Sequence, residues 1–331
     1  MISRVADHCF WFGRYLERAE STARVMAVTL NLALDAELTA RQCWGPVIIV
    51  SGEEERFAAR FGPDAADDGE VVQDYMSWRD DNSVCLHGSV GAARENARSI
   101  REVVSLEAWE AVNELHLWLG SPAARTEYTE HRYGFYRHVR QSCQLCLGLL
   151  RSTMLHDTPL DFIWLGVLLE RVGQTARILD VHHHALTTLA RSQSRHAVVE
   201  TSLWLSLLRA CSGFEPFMKT NQGKVTGNAV AGFLMLEPRF PRSVRYCVHS
   251  AHERLCAIRP PAARDLPGGQ TLERLRVLDD WLAQRGGYAL DAGVVHDVLT
   301  HVVDETAAIC EGLGRELFGD PAPSSTTETA A

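Results

Sequence analysis

Two eighteen-residue segments share a Glu-Arg pair and a second arginine at the same spacing. Residues 11–28 read WFGRYLERAESTARVMAV and residues 164–181 read WLGVLLERVGQTARILDV. At an offset of 153, with no gap, nine of the eighteen positions are identical: Trp11/Trp164, Gly13/Gly166, Leu16/Leu169, Glu17/Glu170, Arg18/Arg171, Thr22/Thr175, Ala23/Ala176, Arg24/Arg177 and Val28/Val181. Duplication of a helical unit is the simplest account of that agreement. Two chemistries follow from the shared residues. Glu17 and Glu170 are candidates for general acid or base. Arg18, Arg24, Arg171 and Arg177 are candidates to fork onto a ligand's carboxylate or phosphate.

Helical spacing places Gly13, Glu17, Glu20 and Arg24 on one face, and Gly166, Glu170, Gly173 and Arg177 on another. Each face borders an apolar stripe, and a glycine one turn before the glutamate removes a side chain where a second helix or a ligand can approach. Burying these charges is costly unless they pair. If the two helices cross, the pairing is reciprocal: Glu17 takes an arginine of the second helix and Glu170 an arginine of the first. A purely structural reading makes Glu17, Arg24, Glu170 and Arg177 a buried ion-pair lock. A functional reading has them converge on a pocket for a polar, amino-acid-like or phosphate-bearing ligand. Gly173 stands where the first segment has Glu20, so a shared site is asymmetric.

A second basic stripe, Arg94, Arg98 and Arg101, is spaced i, i+4 and i+7, with Glu95 and Glu102 in a parallel row and Asn96 between. Such a stripe is either a solvated face threaded by ion pairs or a ligand-receiving one, which adds Arg94, Asn96, Arg98 and Arg101 to the binding candidates. His249, His252 and Cys256 have zinc-ligand chemistry on one helix face, but three ligands without a fourth favour packing, and no metal site is assigned. Cys143-Gln144-Leu145-Cys146 lies in an apolar helical run and reads as core. His182, His183 and His184 are consecutive and point in different directions. No serine-nucleophile elbow, zinc-binding H-E-x-x-H pair or phosphate-cradling glycine loop is present, and no cofactor is implied.

The doubled motif, Tyr15-Leu16-Glu17-Arg18-Ala19-Glu20 and Leu168-Leu169-Glu170-Arg171-Val172, resembles the bacterial alpha-E domain family. So do Ala93–Glu102, Leu208–Ser212 and Phe240-Pro241-Arg242-Ser243-Val244, and the resemblance spans roughly residues 1–315. It implies an entirely helical fold. It also implies a circularly permuted ATP-grasp ligase as partner, fused or encoded alongside, and a role in ribosome-independent peptide synthesis or peptide tagging, with a peptide or amino acid as ligand. It implies no established reaction for this domain.

The elements that must position these residues are helices. Phe12, Leu16, Ala19, Ala23, Met26 and Leu30 form one stripe, and that helix is expected to run to about Gln42, where Trp44-Gly45-Pro46 breaks it. Val47–Val50 reads as a buried helix start or an extended loop, and residues 61–70 as a loop. Further helices are expected at 82–104, 105–119, 131–155, 159–190, 196–212, 227–236, 240–258, 270–286 and 291–318. The class is all-α: one helical bundle over 1–318, built from pseudo-repeats at about 1–155 and 156–318, with a disordered tail at 319–331.

Composition narrows the function. The 331 residues carry a formal charge of −9, which argues against nucleic acid or anionic lipid as partner. No window reaches the run of about 18 apolar residues a membrane span needs. Of 33 basic residues only Lys219 and Lys224 are lysines, both in an expected loop, which speaks against autonomous ATP chemistry or a lysine imine. Nine scattered cysteines and a charged N-terminal segment suit the cytoplasm. Three classes remain: a partner of a ligase, a stand-alone enzyme using the glutamate–arginine pairs, and a structural or oligomerising module.

Overall fold

Alternating steps of three and four between apolar residues give the first segment one buried stripe, and in the computed structural model it forms a single helix, α1 (Ser3–Asp35). Phe12, Leu16, Ala19, Ala23 and Met26 are all buried. The structure describes residues 3–35, 38–190, 197–222, 225–263, 265–285 and 292–319. In chain order there follow α2 (Ala40–Ser51), α3 (Glu54–Phe61), α4 (Gly69–Trp78), α5 (Leu86–Ser99), α6 (Leu106–Leu119), α7 (Pro122–Glu130) and α8 (Arg132–Thr153). Then come α9 (Thr158–Ala190), α10 (Ala197–Ala210), α11 (Phe214–Thr220), α12 (Gly227–Leu236), α13 (Val244–Ile258), α14 (Gly269–Gln284) and α15 (Ala292–Leu313). No strand occurs among the described residues, and none of the helices is long and apolar enough to cross a membrane.

α1 and α9 are the axis of the bundle. Each has 33 residues, about 50 Å at 1.5 Å per residue, and they pack along each other. α5 and α8 pack on α1, while α13 and α15 pack on α9. α6 joins α5 to α8 as α14 joins α13 to α15. Side-chain caps fix several starts: Ser105 on α6, Ser121 on α7 (followed by Pro122 at the first helical position), Thr226 on α12 and Ser243 on α13.

Local structure departs from expectation around residues 36–80. α1 ends at Asp35 rather than Gln42, and Trp44-Gly45-Pro46 lies inside α2. Thr39 and Gln42 form a reciprocal capping box that starts α2 upstream of the proline. Pro46 forfeits one helical hydrogen bond, and burial of Trp44, Val47, Ile48 and Val50 offsets that loss. The stretch read as a loop holds the end of α3, a short turn at Ala65–Asp67 and the start of α4, where Asp68 accepts from the Glu70 and Val71 amides. α7 and α11 were not expected as separate helices. Lys219 sits in the last turn of α11 rather than in a loop. Lys224, the tail from residue 320 and the side chains of His182, His183 and His184 lie outside the described residues.

Candidate functional site

α1 and α9 meet backbone to backbone. A Cβ on Gly13 would lie 2.0 Å from the Ile163 carbonyl oxygen, and one on Gly166 would lie 2.1 Å from the Phe10 carbonyl oxygen. Since Phe10 and Ile163 are themselves 153 apart, the two contacts are equivalent, each helix making the one that the other makes. The crossing is possible because neither helix has a side chain there.

One turn beyond the crossing, the motif carboxylates pair across the helices. Arg18 donates to Glu170 through Nε (2.8 Å) and Nη2 (3.0 Å). Arg171 donates to Glu17 through Nε (2.9 Å) and Nη2 (2.7 Å). Both glutamates are buried, at 0% and 2% exposure. Burial by itself would raise the pKa of Glu17, but Arg171 and Arg242 outweigh it and hold the carboxyl at about 2. Glu170 is likewise held well below the usual carboxylate range, by Arg14 and Arg18 against the cost of burial. The reciprocal pairing expected from the repeat is therefore present, but its arginines are Arg18 and Arg171 rather than Arg24 and Arg177.

The two carboxylates have different surroundings. Around Glu17 several elements converge: Arg242 donates to Glu17 and to Glu20 (both 2.8 Å), Gln144 donates to Glu20 (2.9 Å), and Arg24 pairs with Glu20. The Pro241-Arg242 backbone closes the rest, accepting from Arg171 and Thr175. Around Glu170 a second arginine, Arg14, donates through Nε (2.8 Å) and Nη2 (2.6 Å). Gly173 supplies no carboxylate there, and Arg177 donates its Nε to the Val50 carbonyl (3.1 Å), in the last turn of α2 where a cation is favoured. A cavity of about 240 Å³ remains, lined by Arg14, Arg18, Glu170 and Arg177 with Val25 and Met76 among its apolar walls.

The structure thus brings together Glu17, Arg24 and Arg171 on one side of the helix crossing and Arg18, Glu170 and Arg177 on the other. It does not join the second basic stripe to either group. Arg94 donates to Asn113 (3.1 Å), pairs with Glu95 and lies over the Trp109 ring, which Arg101 also covers. Arg98 is an exposed partner of Glu95, and Asn96 accepts from His8 (2.8 Å). His249 and His252 both turn Nδ1 to Asp279 on α14, at 2.9 and 3.2 Å. Cys143 and Cys146 are core residues, and burial pushes Cys146 up to about 12.

Arg14 and Arg242 were missed in sequence. Arg14 lies one turn before Arg18 on the same face, a spacing that could have suggested two guanidiniums on one carboxylate. Arg242 lies within the Phe240–Val244 block, just before the cap of α13, and its burial gave no local signal.

These features define an all-helical protein organised on a reciprocal glutamate–arginine centre between two crossing helices. The chain belongs to the Alpha-E family, described as "a predicted alpha-helical domain with a conserved ER motif", which matches residues 1–318. It is also similar to an uncharacterized protein of Mycobacterium bovis and to two of Mycobacterium tuberculosis, each 24% identical over 287 residues. The match covers 82% of this chain and spans 30% of the length of each of these curated relatives. No solved structure matches it.

Proposed function

We propose that the protein is a helical accessory partner of an ATP-grasp peptide ligase, acting in the cytoplasm in ribosome-independent peptide synthesis or peptide tagging and binding the ligase, its peptide or an amino acid. The observation that carries the accessory role is the state of the two motif glutamates. A carboxylate that is buried, doubly clamped and held well below the usual carboxylate range has little basicity at neutral pH and makes a poor general base. Binding and positioning are what the remaining arginines can offer. The mycobacterial relatives support a role beside other domains, because the matched region makes up 30% of each of those chains. In the same reading residues 1–318 are one domain of two pseudo-repeats, a division supported by the parallel packing of α1 with α5 and α8 and of α9 with α13 and α15.

The test is reconstitution with the circularly permuted ATP-grasp ligase encoded in the same genome. Co-elution of the two purified proteins, and ligated peptide that forms only when both are present, is the expected result. Separate elution with ligation unchanged by this chain would leave a structural or oligomerising module instead.

A further inference from the structure

The two sides of the helix crossing differ by one missing carboxylate. On the Glu17 side Arg24 has an acidic partner one turn earlier, Glu20. At the matching place on the other side Gly173 precedes Arg177, and a Cβ there would lie 3.2 Å from Arg177 Nη1, so the guanidinium head occupies the space next to the glycine. Arg177 spends its Nε on the Val50 carbonyl, while Nη1 and Nη2 make no hydrogen bond and no ion pair among the described residues. A guanidinium with both terminal nitrogens free presents the end-on fork that fits a carboxylate in two parallel hydrogen bonds.

The charge balance points the same way. Arg14, Arg18 and Arg177 line the cavity with Glu170 as their one carboxylate, leaving an excess of two positive charges. Burial lowers the pKa of Arg177, Glu170 opposes that, and the like charges of Arg18 and Arg14 add to it. An anion entering the cavity relieves the repulsion. Val25, Val47, Val50, Met76 and Val84 form the apolar part of the wall, and the volume suits a body the size of one amino-acid residue rather than a nucleotide.

We propose that this cavity binds a carboxylate-bearing molecule of about that size, such as a free or peptide C-terminal amino acid, with its carboxylate on Nη1 and Nη2 of Arg177 in the position that Glu20 fills on the other side. The site stands or falls independently of the ligase partnership. Isothermal titration of the purified chain with N-acetylglycine, the neutral N-acetylglycinamide and inorganic phosphate tests it. N-acetylglycine is expected to bind saturably and the amide not at all. Arg177→Gln is expected to weaken binding by about tenfold or more, the loss of a charge-assisted pair. Gly173→Glu is expected to abolish binding by tethering a carboxylate to the fork, because the nearest obstacle to its Cβ is the movable end of Arg177. No saturable binding of N-acetylglycine at tens of millimolar would overturn the site. So would Gly173→Glu binding like the parent, a result that decides the matter even if Arg177→Gln fails to fold. Phosphate binding tighter than N-acetylglycine would overturn the carboxylate assignment.

Discussion

Glu170 accepts four hydrogen bonds from Arg14 and Arg18 inside the protein, whereas Arg98 meets Glu95 in water, with 60% of its side chain exposed. Removing one member of a buried pair strands the other, at a cost of about 3–5 kcal/mol, and an exposed pair contributes within about 1 kcal/mol. Glu170→Gln should therefore unfold at much lower urea than the parent and Arg98→Ala close to it. The same centre sets a pH dependence. Glu17 and Glu170 both have carboxyls lowered from an ordinary 4.5. The stability they contribute is complete above that value and is lost as pH falls through the folded pKa values. Acid titration followed by circular dichroism should show stability falling as pH drops below about 4.5 towards about 2, where Glu17 takes up its proton, with a shallower fall in Glu17→Gln. That an arginine of each helix would meet the glutamate of the other was legible in the sequence. Which arginine was not, because Arg24 lies six residues beyond Arg18, about 9 Å along the axis, and the crossing point decides which of the two reaches.

At the scale of elements, the contact between α1 and α9 rests on Gly13 and Gly166. Alanine at either position drives a methyl into the facing carbonyl, so the helices must separate. Gly13→Ala and Gly166→Ala should each destabilise by about 1–3 kcal/mol, read as a lowered Tm. Gly148 on α8 is the control: a Cβ there meets nothing within 4 Å, and Gly148→Ala should stabilise by about 0.5–1 kcal/mol. The long helices were legible because a sustained 3.6-residue stripe leaves few alternatives. α2, α3, α4 and α7 were not: each is 8–12 residues long, which gives few turns to establish a period, although the equally short α12 was legible. Their caps, Thr39, Asp68 and Ser121, were the available signals, and the Pro46 that reads as a helix breaker is tolerated within α2 by burial.

For the whole molecule, the sequence carries no glycine-rich phosphate-loop motif, and one of its two lysines sits at the end of α11. The purified protein should release no phosphate from ATP by itself. Steady turnover abolished by Lys224→Ala would refute the argument from lysine scarcity. The all-helical class was readable because periodicity is a property of the chain itself, and the Alpha-E membership through the resemblance of the doubled motif and three further blocks to that family.

Residue type and spacing along the chain were enough for the helical class, the two helices that share the motif, the pairing of glutamate with arginine across them and the asymmetry at Gly173. The folded arrangement selects which arginines make those pairs, adds Arg14 and Arg242 to them, sets the stripe of Arg94, Arg98 and Arg101 apart and opens a cavity beside Arg177. The reason is physical. Spacing along a helix fixes which residues share a face, but a guanidinium's partner depends on where two helices cross and on what a distant loop brings in, as Arg242 does on one side with no charged counterpart among the described residues on the other.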